Sequence, residues 1–354
     1  MKTPKFFTIL MSLVLLVTVL TACAAPATPQ PATQAPASGQ EQGSTQAEPV
    51  RVALILPGRA DDVSWNQAAF DGMQRAVENA SVPVELKVVE QVYDPVDIEP
   101  ALRDYAQQGY DLVVGHGFQF QEPIIKVAPE FPDVNFAIGT GFKLAPNVGV
   151  YDVKLEEGGY LMGIIAGLLT KSDIVGAVGG VDVSEIHRGH AAFTLGAKSV
   201  NPDVKVLNNF VGDFNDLAGA KEAALSQMKA GADVLWQSGD GIGLAVLGAC
   251  KEQNKICMGN VADQTSLAPE HVIANFVYDW SAVYKQMIDE TAQKSFGDKK
   301  YWIEFSNQGV SVVYNDALKS QVTADMQTAL DAALNGFTGG TLDLGDLDNY
   351  KLDQ

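Results

Sequence analysis

Several residues of this 354-residue chain pair an aromatic face with a polar group beside a predicted strand end. After the first apolar strand comes Asp62-Val63-Ser64-Trp65-Asn66-Gln67. Ser64 reads as an N-cap with Gln67 at capping-box spacing, which puts Trp65 and Asn66 in the first helical turn. There Trp65 offers a flat face for stacking and Asn66 offers both a donor and an acceptor. The alternative for Trp65 is a staple that packs its helix onto the sheet. After the third strand, Gly115-His116-Gly117-Phe118 lets backbone approach a ligand, with Phe118 as a pocket floor or, equally, a core aromatic. His116 reads as a satisfied loop histidine.

Glycines with a polar or aromatic residue recur after later strands: Asp182 behind Gly179-Gly180, Phe214 behind Gly212, Gly239-Asp240 behind Ser238, then Asp263-Gln264. Turn chemistry favours the same residues, but the repetition points to one face built for a small molecule. Catalytic patterns are thin. The chain has no G-x-x-x-x-G-K-[ST], no G-x-G-x-x-G opening the first helix, no H-E-x-x-H and no G-x-S-x-G. His187 and His190 stand three apart, without a third ligand, and read as a surface pair rather than a metal site. No cofactor is expected. The carboxylates Asp62, Asp182 and Asp263 leave an exported nucleoside-processing hydrolase as a competing idea, though they form no tight metal-binding run.

The elements that must position these residues alternate from residue 51 onward. Strands are predicted over 51–56, 84–89, 112–115, 134–138, 174–179, 204–210, 234–237 and 256–261. Helices are predicted over 64–80, 98–108, 122–128, 156–170, 185–200, 216–230 and 242–252. This is an α/β pattern of parallel sheets covered on both faces. Each half holds four β/α units, with Tyr151-Asp152 as a crossover, so two doubly wound lobes suit the length better than one sheet. Ligands of such sheets sit outside the carboxyl ends of the strands, which puts a cleft between the lobes.

The N-terminus reads as an export signal: Lys2 and Lys5, an apolar run from Phe6 to Leu20, then Leu20-Thr21-Ala22-Cys23. The run is short for a bilayer span, where about 20 apolar residues are expected. The tetrapeptide matches the bacterial lipobox, which makes residues 1–22 a lipoprotein signal and Cys23 the lipidated residue. Residues 24–49 are rich in Pro, Ala, Thr and Gln and cannot bury a core. As a flexible tether they reach roughly 30 Å. The formal net charge is −19, and −21 once Lys2 and Lys5 are removed. Such acidity argues against nucleic acid and against a domain lying on anionic lipid. Cys250 and Cys257, seven apart, suit either a disulfide or two half-buried thiols.

Taken together the motifs resemble the basic membrane protein family of substrate-binding lipoproteins, the purine nucleoside receptor type, over about residues 50–315. Asp62 to Gln67 is similar to the family's D-K-S-F-N-Q, Tyr110 to Phe118 to its Y-D-L-I-I-x-x-G-F, and Phe131 to Phe136 to its P-D-V-K-F. Glu156-Glu157-Gly158 through Gly163 resembles its E-E-G-x-x-x-G helix. Val178 to Asp182, Val200 to Asp203 and Gly231 to Val234 are further matches. The resemblance implies a type I periplasmic-binding fold, with two Rossmann-like lobes joined by crossing strands. It implies a return to the first lobe near Asp263 and a last crossing near Ser306. The first lobe would then be 50–152 plus 264–305, and the second 153–263 plus 306–354.

It further implies that aromatics at the Trp65 and Phe214 positions sandwich a purine, with Asn66 and Phe118 helping to form the pocket. Two departures stand out. Gly139-Thr140-Gly141-Phe142 lacks the acidic residue of nucleoside receptors. Gly259-Asn260-Val261-Ala262-Asp263-Gln264 replaces G-V-D-S-D-Q and loses an aspartate associated with ribose hydroxyls. With Asp279-Trp280, these changes look like the branch associated with free nucleobases such as adenine. The implied role is capture of a purine base or nucleoside for ABC permease subunits, on the outer or periplasmic side of the membrane. A sugar receptor of the same fold and a sensor ectodomain are the alternatives.

Overall fold

A computed structural model describes residues 48–239 and 241–352. Cys23, the signal and most of the tether lie outside these residues, as does Asp240.

The chain winds two six-stranded sheets. The first takes β1 (Val50–Ile55), β2 (Val84–Val89), β3 (Leu112–Gly115), β4 (Asn135–Gly139), β5 (Val148–Val153) and β11 (Lys300–Ile303), in the order β11-β5-β4-β3-β1-β2. All its pairings are parallel. The second takes β6 (Ile174–Gly179), β7 (Lys205–Phe210), β8 (Val234–Ser238), β9 (Ile256–Val261), β10 (Val272–Tyr278) and β12 (Val310–Tyr314), in the order β12-β10-β9-β8-β6-β7. Only β12 runs antiparallel to its neighbour. The central strands are buried on both faces, which is why they read as unbroken apolar runs.

Helices cover both sheets. Around the first lie α1 (Trp65–Glu78), α2 (Pro95–Gln107), α3 (Gln121–Val127) and α8 (Ser281–Ala292). Around the second lie α4 (Leu155–Leu169), α5 (Ser184–Val200), α6 (Leu217–Lys229), α7 (Gly241–Gln253) and α9 (Ala324–Thr338). The pair α4 and α5 packs backbone to backbone through glycines. A methyl on Gly159 would lie 2.2 Å from the Gly189 carbonyl, one on Gly163 2.2 Å from that of Phe193, and one on Gly196 2.0 Å from that of Tyr160. The spacing of Gly159, Gly163 and Gly167 by four keeps them on one helix face.

The chain crosses between lobes three times: after β5, after β10 and between β11 and β12. The expected return near Asp263 is corrected to Asp279-Trp280. Residues 272–278 stay with the second sheet, where β10 pairs with both β9 and β12. Tyr151-Asp152, expected as a bare crossover, belongs to β5, an inner strand of the first sheet. Cys250 and Cys257 are joined as a disulfide, with Cα atoms 6.2 Å apart and both residues fully buried between α7 and β9.

The C-terminal tail folds back on the second lobe. Leu347 packs against Ala191 and Ala192, Ser184 Oγ donates to Asp348 at 2.6 Å, and the His187 ring meets the Tyr350 carbonyl at 2.9 Å. Among the described residues no helix is long and apolar enough to cross a membrane.

Candidate functional site

The strand ends of the two lobes face one another across a pocket. The first lobe contributes Pro57 after β1, Trp65 at the start of α1, Tyr93 after β2, and Gly117 to Gln119 after β3. The second contributes Val183 at the N-cap of α5, Glu185 and Ile186 in its first turn, and Phe214 after β7. Gly239 follows β8, Asn260 and Val261 end β9, and Tyr278 ends β10. The pocket encloses about 550 Å³ of space between atoms, open mouth included. The lobes are closed on each other. Phe118 and Phe214 approach from opposite sides to 6.2 Å between ring centres, and Gln264 Nε2 donates across the cleft to the Val63 carbonyl at 3.2 Å.

Trp65 is held from behind. Its ring stacks on His116 at 4.1 Å and 19°, its Nε1 donates to the His116 carbonyl at 3.3 Å, and Trp280 meets it edge-on at 5.6 Å. His116 is fully buried, with Nδ1 2.7 Å from the Tyr151 hydroxyl and Nε2 3.2 Å from the Trp65 carbonyl. Burial lowers its pKa to about 3, so it is neutral. Trp280 is therefore a fully buried support for Trp65 and not a pocket wall. Phe214 lies against Gly180, where any side chain would meet the ring.

The expected polar residues serve the backbone instead. Asp62 caps α1, accepting from the N–H groups of Ser64 at 2.8 Å, Asn66 at 3.0 Å and Gln67 at 3.0 Å. Ser64 occupies the N-cap position, yet its own hydroxyl makes no cap bond and is buried without a partner. Asn66 is buried, accepting from Gly58 N–H at 2.9 Å and donating to Asp62 at 2.7 Å, so it shapes the loop rather than facing the pocket. Asp182 meets the His187 ring at 2.8 Å. Asp263 accepts from Thr265 N–H and the Asn275 amide, both at 3.0 Å. Asp279 bridges to Arg75 at 2.9 Å and starts α8. Of the expected residues, Trp65, Phe118, Phe214 and Gly239 line the pocket; Asn66, Asp182, Asp263, Asp279 and Trp280 do not.

Gln119 and Tyr93 line it from the more exposed side, and its buried polar residues are Glu185, Asn260 and Tyr278. These three are 7%, 2% and 3% exposed. The Asn260 side-chain oxygen and the Tyr278 hydroxyl are buried without a hydrogen-bond partner among the described residues. Burial, with Asp152 nearby, pushes the Glu185 carboxyl well above the usual range. No lysine or arginine lines the pocket. Among the described residues no group of three or more His, Cys, Asp or Glu could hold a metal ion. His190, expected at the surface beside His187, is instead buried, bonded to Asn208 at 3.0 Å and Ser238 at 2.7 Å. The carboxylates that left a hydrolase open are dispersed in loop and cap bonds.

Two β/α lobes closing on a pocket at their strand ends define a cleft-type solute-binding protein. The chain belongs to the family described as ABC transporter substrate-binding protein PnrA-like, matched over residues 49–338. It is 31% identical over 248 residues to a purine-binding protein of Brucella abortus (strain 2308), covering 69% of this chain and 70% of that one. It is 27% identical over 314 residues to the Haloferax volcanii protein TsgA13, provisionally named an ABC transporter glucose-binding protein, covering 87% and 79%. Its fold is similar to an ABC transporter solute-binding protein from Conexibacter woesei, with a TM-score of 0.68, 28% identity, and cover of 84% of this chain and 99% of that one.

Proposed function

We propose that the chain captures a purine-type ligand, a nucleobase or nucleoside, between its lobes and delivers it to the permease of an ABC importer. In this reading it is held outside the membrane by lipid on Cys23. The observation that carries it is the union of aromatic walls with unpaired buried polar groups in one cavity. Trp65, Phe118 and Phe214 offer faces for a flat ring, while Glu185, Asn260 and Tyr278 offer an edge to hydrogen-bond. A pyranose would bring a ring of hydroxyls, each needing partners, to a wall that is mostly apolar. The Brucella relative, named for purine binding, supports the same ligand class, and the Haloferax relative keeps glucose as the comparison to run.

Closure is a hinge motion at the three crossings, and the ligand favours the closed state by binding there more tightly. Calorimetric titration of the purified chain with adenine, adenosine, guanosine and glucose tests the reading. Saturable purine binding is expected. Glucose binding without purine binding would overturn it in favour of the sugar receptor.

A further inference from the structure

The one carboxyl that lines the pocket among the described residues explains more than the presence of a ligand. Glu185 stands in the first turn of α5, buried, facing the cavity, and makes no hydrogen bond with any described residue. Its neighbours account for that isolation. Arg188, one turn on, is the cation that acts on it and is already engaged. It reaches Glu156 at 3.2 Å, Asp152 at 3.5 Å, the Val153 carbonyl at 3.4 Å, Ser184 at 2.7 Å and Asp348 at 3.9 Å. The charged or titratable groups facing Glu185 are therefore Asp152 from β5, Glu156 from α4, Arg188 from its own helix and the Tyr278 hydroxyl from β10. Arg188 is shared by Asp152 and Glu156, Lys154 lies 3.7 Å from Glu156, and neither cation forms an ion pair with Glu185. The N-terminus of α5 favours an anion modestly. Burial, Asp152 and Glu156 outweigh it and push the carboxyl well above its usual range.

A neutral carboxyl presents one donor and one acceptor side by side; an ionised one presents two acceptors. Resting on the purine reading, we propose that Glu185 reads the ligand's edge as a protonated acid. It selects a ring nitrogen beside an amino group, as in a 6-aminopurine. Its O–H donates to the ring nitrogen, and its carbonyl oxygen accepts from the exocyclic N–H. An edge of two adjacent donors, as in the N1–H and 2-amino groups of guanine, would leave the acid proton facing another proton. Glutamine carries the same donor and acceptor in the same place, which is how a carboxamide pairs with adenine elsewhere.

The test is the affinity for adenine and guanine of the wild-type chain, Glu185→Gln and Glu185→Ala across pH 5–9, with thermal melts confirming that each is folded. Wild-type affinity for adenine should fall about tenfold per pH unit once Glu185 begins to ionise, since binding requires its proton. Glu185→Gln should keep the low-pH affinity and lose that dependence. Glu185→Ala should bind at least tenfold more weakly throughout the range where the wild-type acid is neutral. Guanine, whose N1–H and 2-amino edge suits two acceptors, should gain on adenine as the pH rises and Glu185 ionises. Adenine binding that Glu185→Gln and Glu185→Ala leave unchanged, pH profile included, overturns the role of Glu185 while the purine reading stands. Failure of the wild-type chain to bind any purine removes both.

Discussion

Gly180→Ala isolates the contribution of the Phe214 face. Gly180 follows β6, and a methyl there would sit 2.2 Å from Phe214 Cδ1, 2.5 Å from Cε1 and 2.9 Å from Cγ. Carbon atoms in contact keep about 3.5–4.0 Å, so the ring must retreat by about 1.5 Å. Phe214 is only half-buried on a loop, which lets it move at little cost to folding. The ligand would lose a stacking contact of about 0.5–1.5 kcal/mol and about 40 Å² of apolar contact, near 1 kcal/mol. The sum predicts a 10- to 70-fold weaker Kd at roughly 1.5–2.5 kcal/mol, read by calorimetry with adenine. Phe214→Ala should match it. In the Phe214→Ala background, Gly180→Ala should be silent to within about 0.5 kcal/mol, because its target is gone. If Gly180→Ala costs as much there as in the wild type, or costs nothing in either, Phe214 is not a ligand face.

The other expectations concern the anchor, the helix pair and pH. Cys23→Ala should move the protein from the membrane fraction to the soluble exported fraction in cells, and unchanged retention would argue against the lipid. Gly163→Ala should destabilise by about 1–3 kcal/mol because two backbones must part. Gly248→Ala, in α7 with nothing within 4 Å, should stabilise by about 0.5–1 kcal/mol; denaturant unfolding compares them. His116 and His190, with pKa values near 3, refuse protons that the unfolded chain accepts from about pH 6.5 downward, so each removes up to about 1.4 kcal/mol per pH unit on acidification. Asp152, raised to about 6, and Glu157, raised to about 7, hold protons that the unfolded chain has released, so they add stability as pH falls through that range. The two effects oppose one another down to about pH 4.5, and unfolding series at stepped pH should show the steep loss only below it.

The alternation of strands and helices was legible because parallel strands covered on both faces leave apolar runs bounded by turn residues. Legibility ended at Val261 for a topological reason. β11 is four residues long, and β10 to β12 pair across crossings that no local pattern announces. The aromatic faces could be named because Trp65, Phe118 and Phe214 stand out beside strand ends. Asp62, Asn66, Asp182 and Asp263 drew attention for the same reason but are consumed by caps and turns, the commonest use of short polar side chains in loops. The true polar floor was hidden in ordinary settings. Glu185 looks like a first-turn helix acid, Asn260 sits inside an apolar strand, and Tyr278 ends one. Only burial without a partner marks them out, and that is a three-dimensional property.

That same property sets the direction of the conformational equilibrium. In the closed cleft the Asn260 side-chain oxygen and the Tyr278 hydroxyl are buried without a hydrogen-bond partner among the described residues, and such a group costs about 1–3 kcal/mol unless a ligand pairs it. Against this stand few contacts across the mouth, chiefly the Phe118–Phe214 pair and the bond from Gln264 to Val63. An aromatic pair and one hydrogen bond contribute about 1–3 kcal/mol together, against about 2–6 kcal/mol for two unpaired groups. Opening would expose both groups to water, so the balance between open and closed forms turns on whether a ligand pairs them. A ligand that pairs them shifts the balance towards closure without any new protein–protein contact. The groups that determine what is bound therefore also determine when the lobes close, and a permease that reads closure reads occupancy.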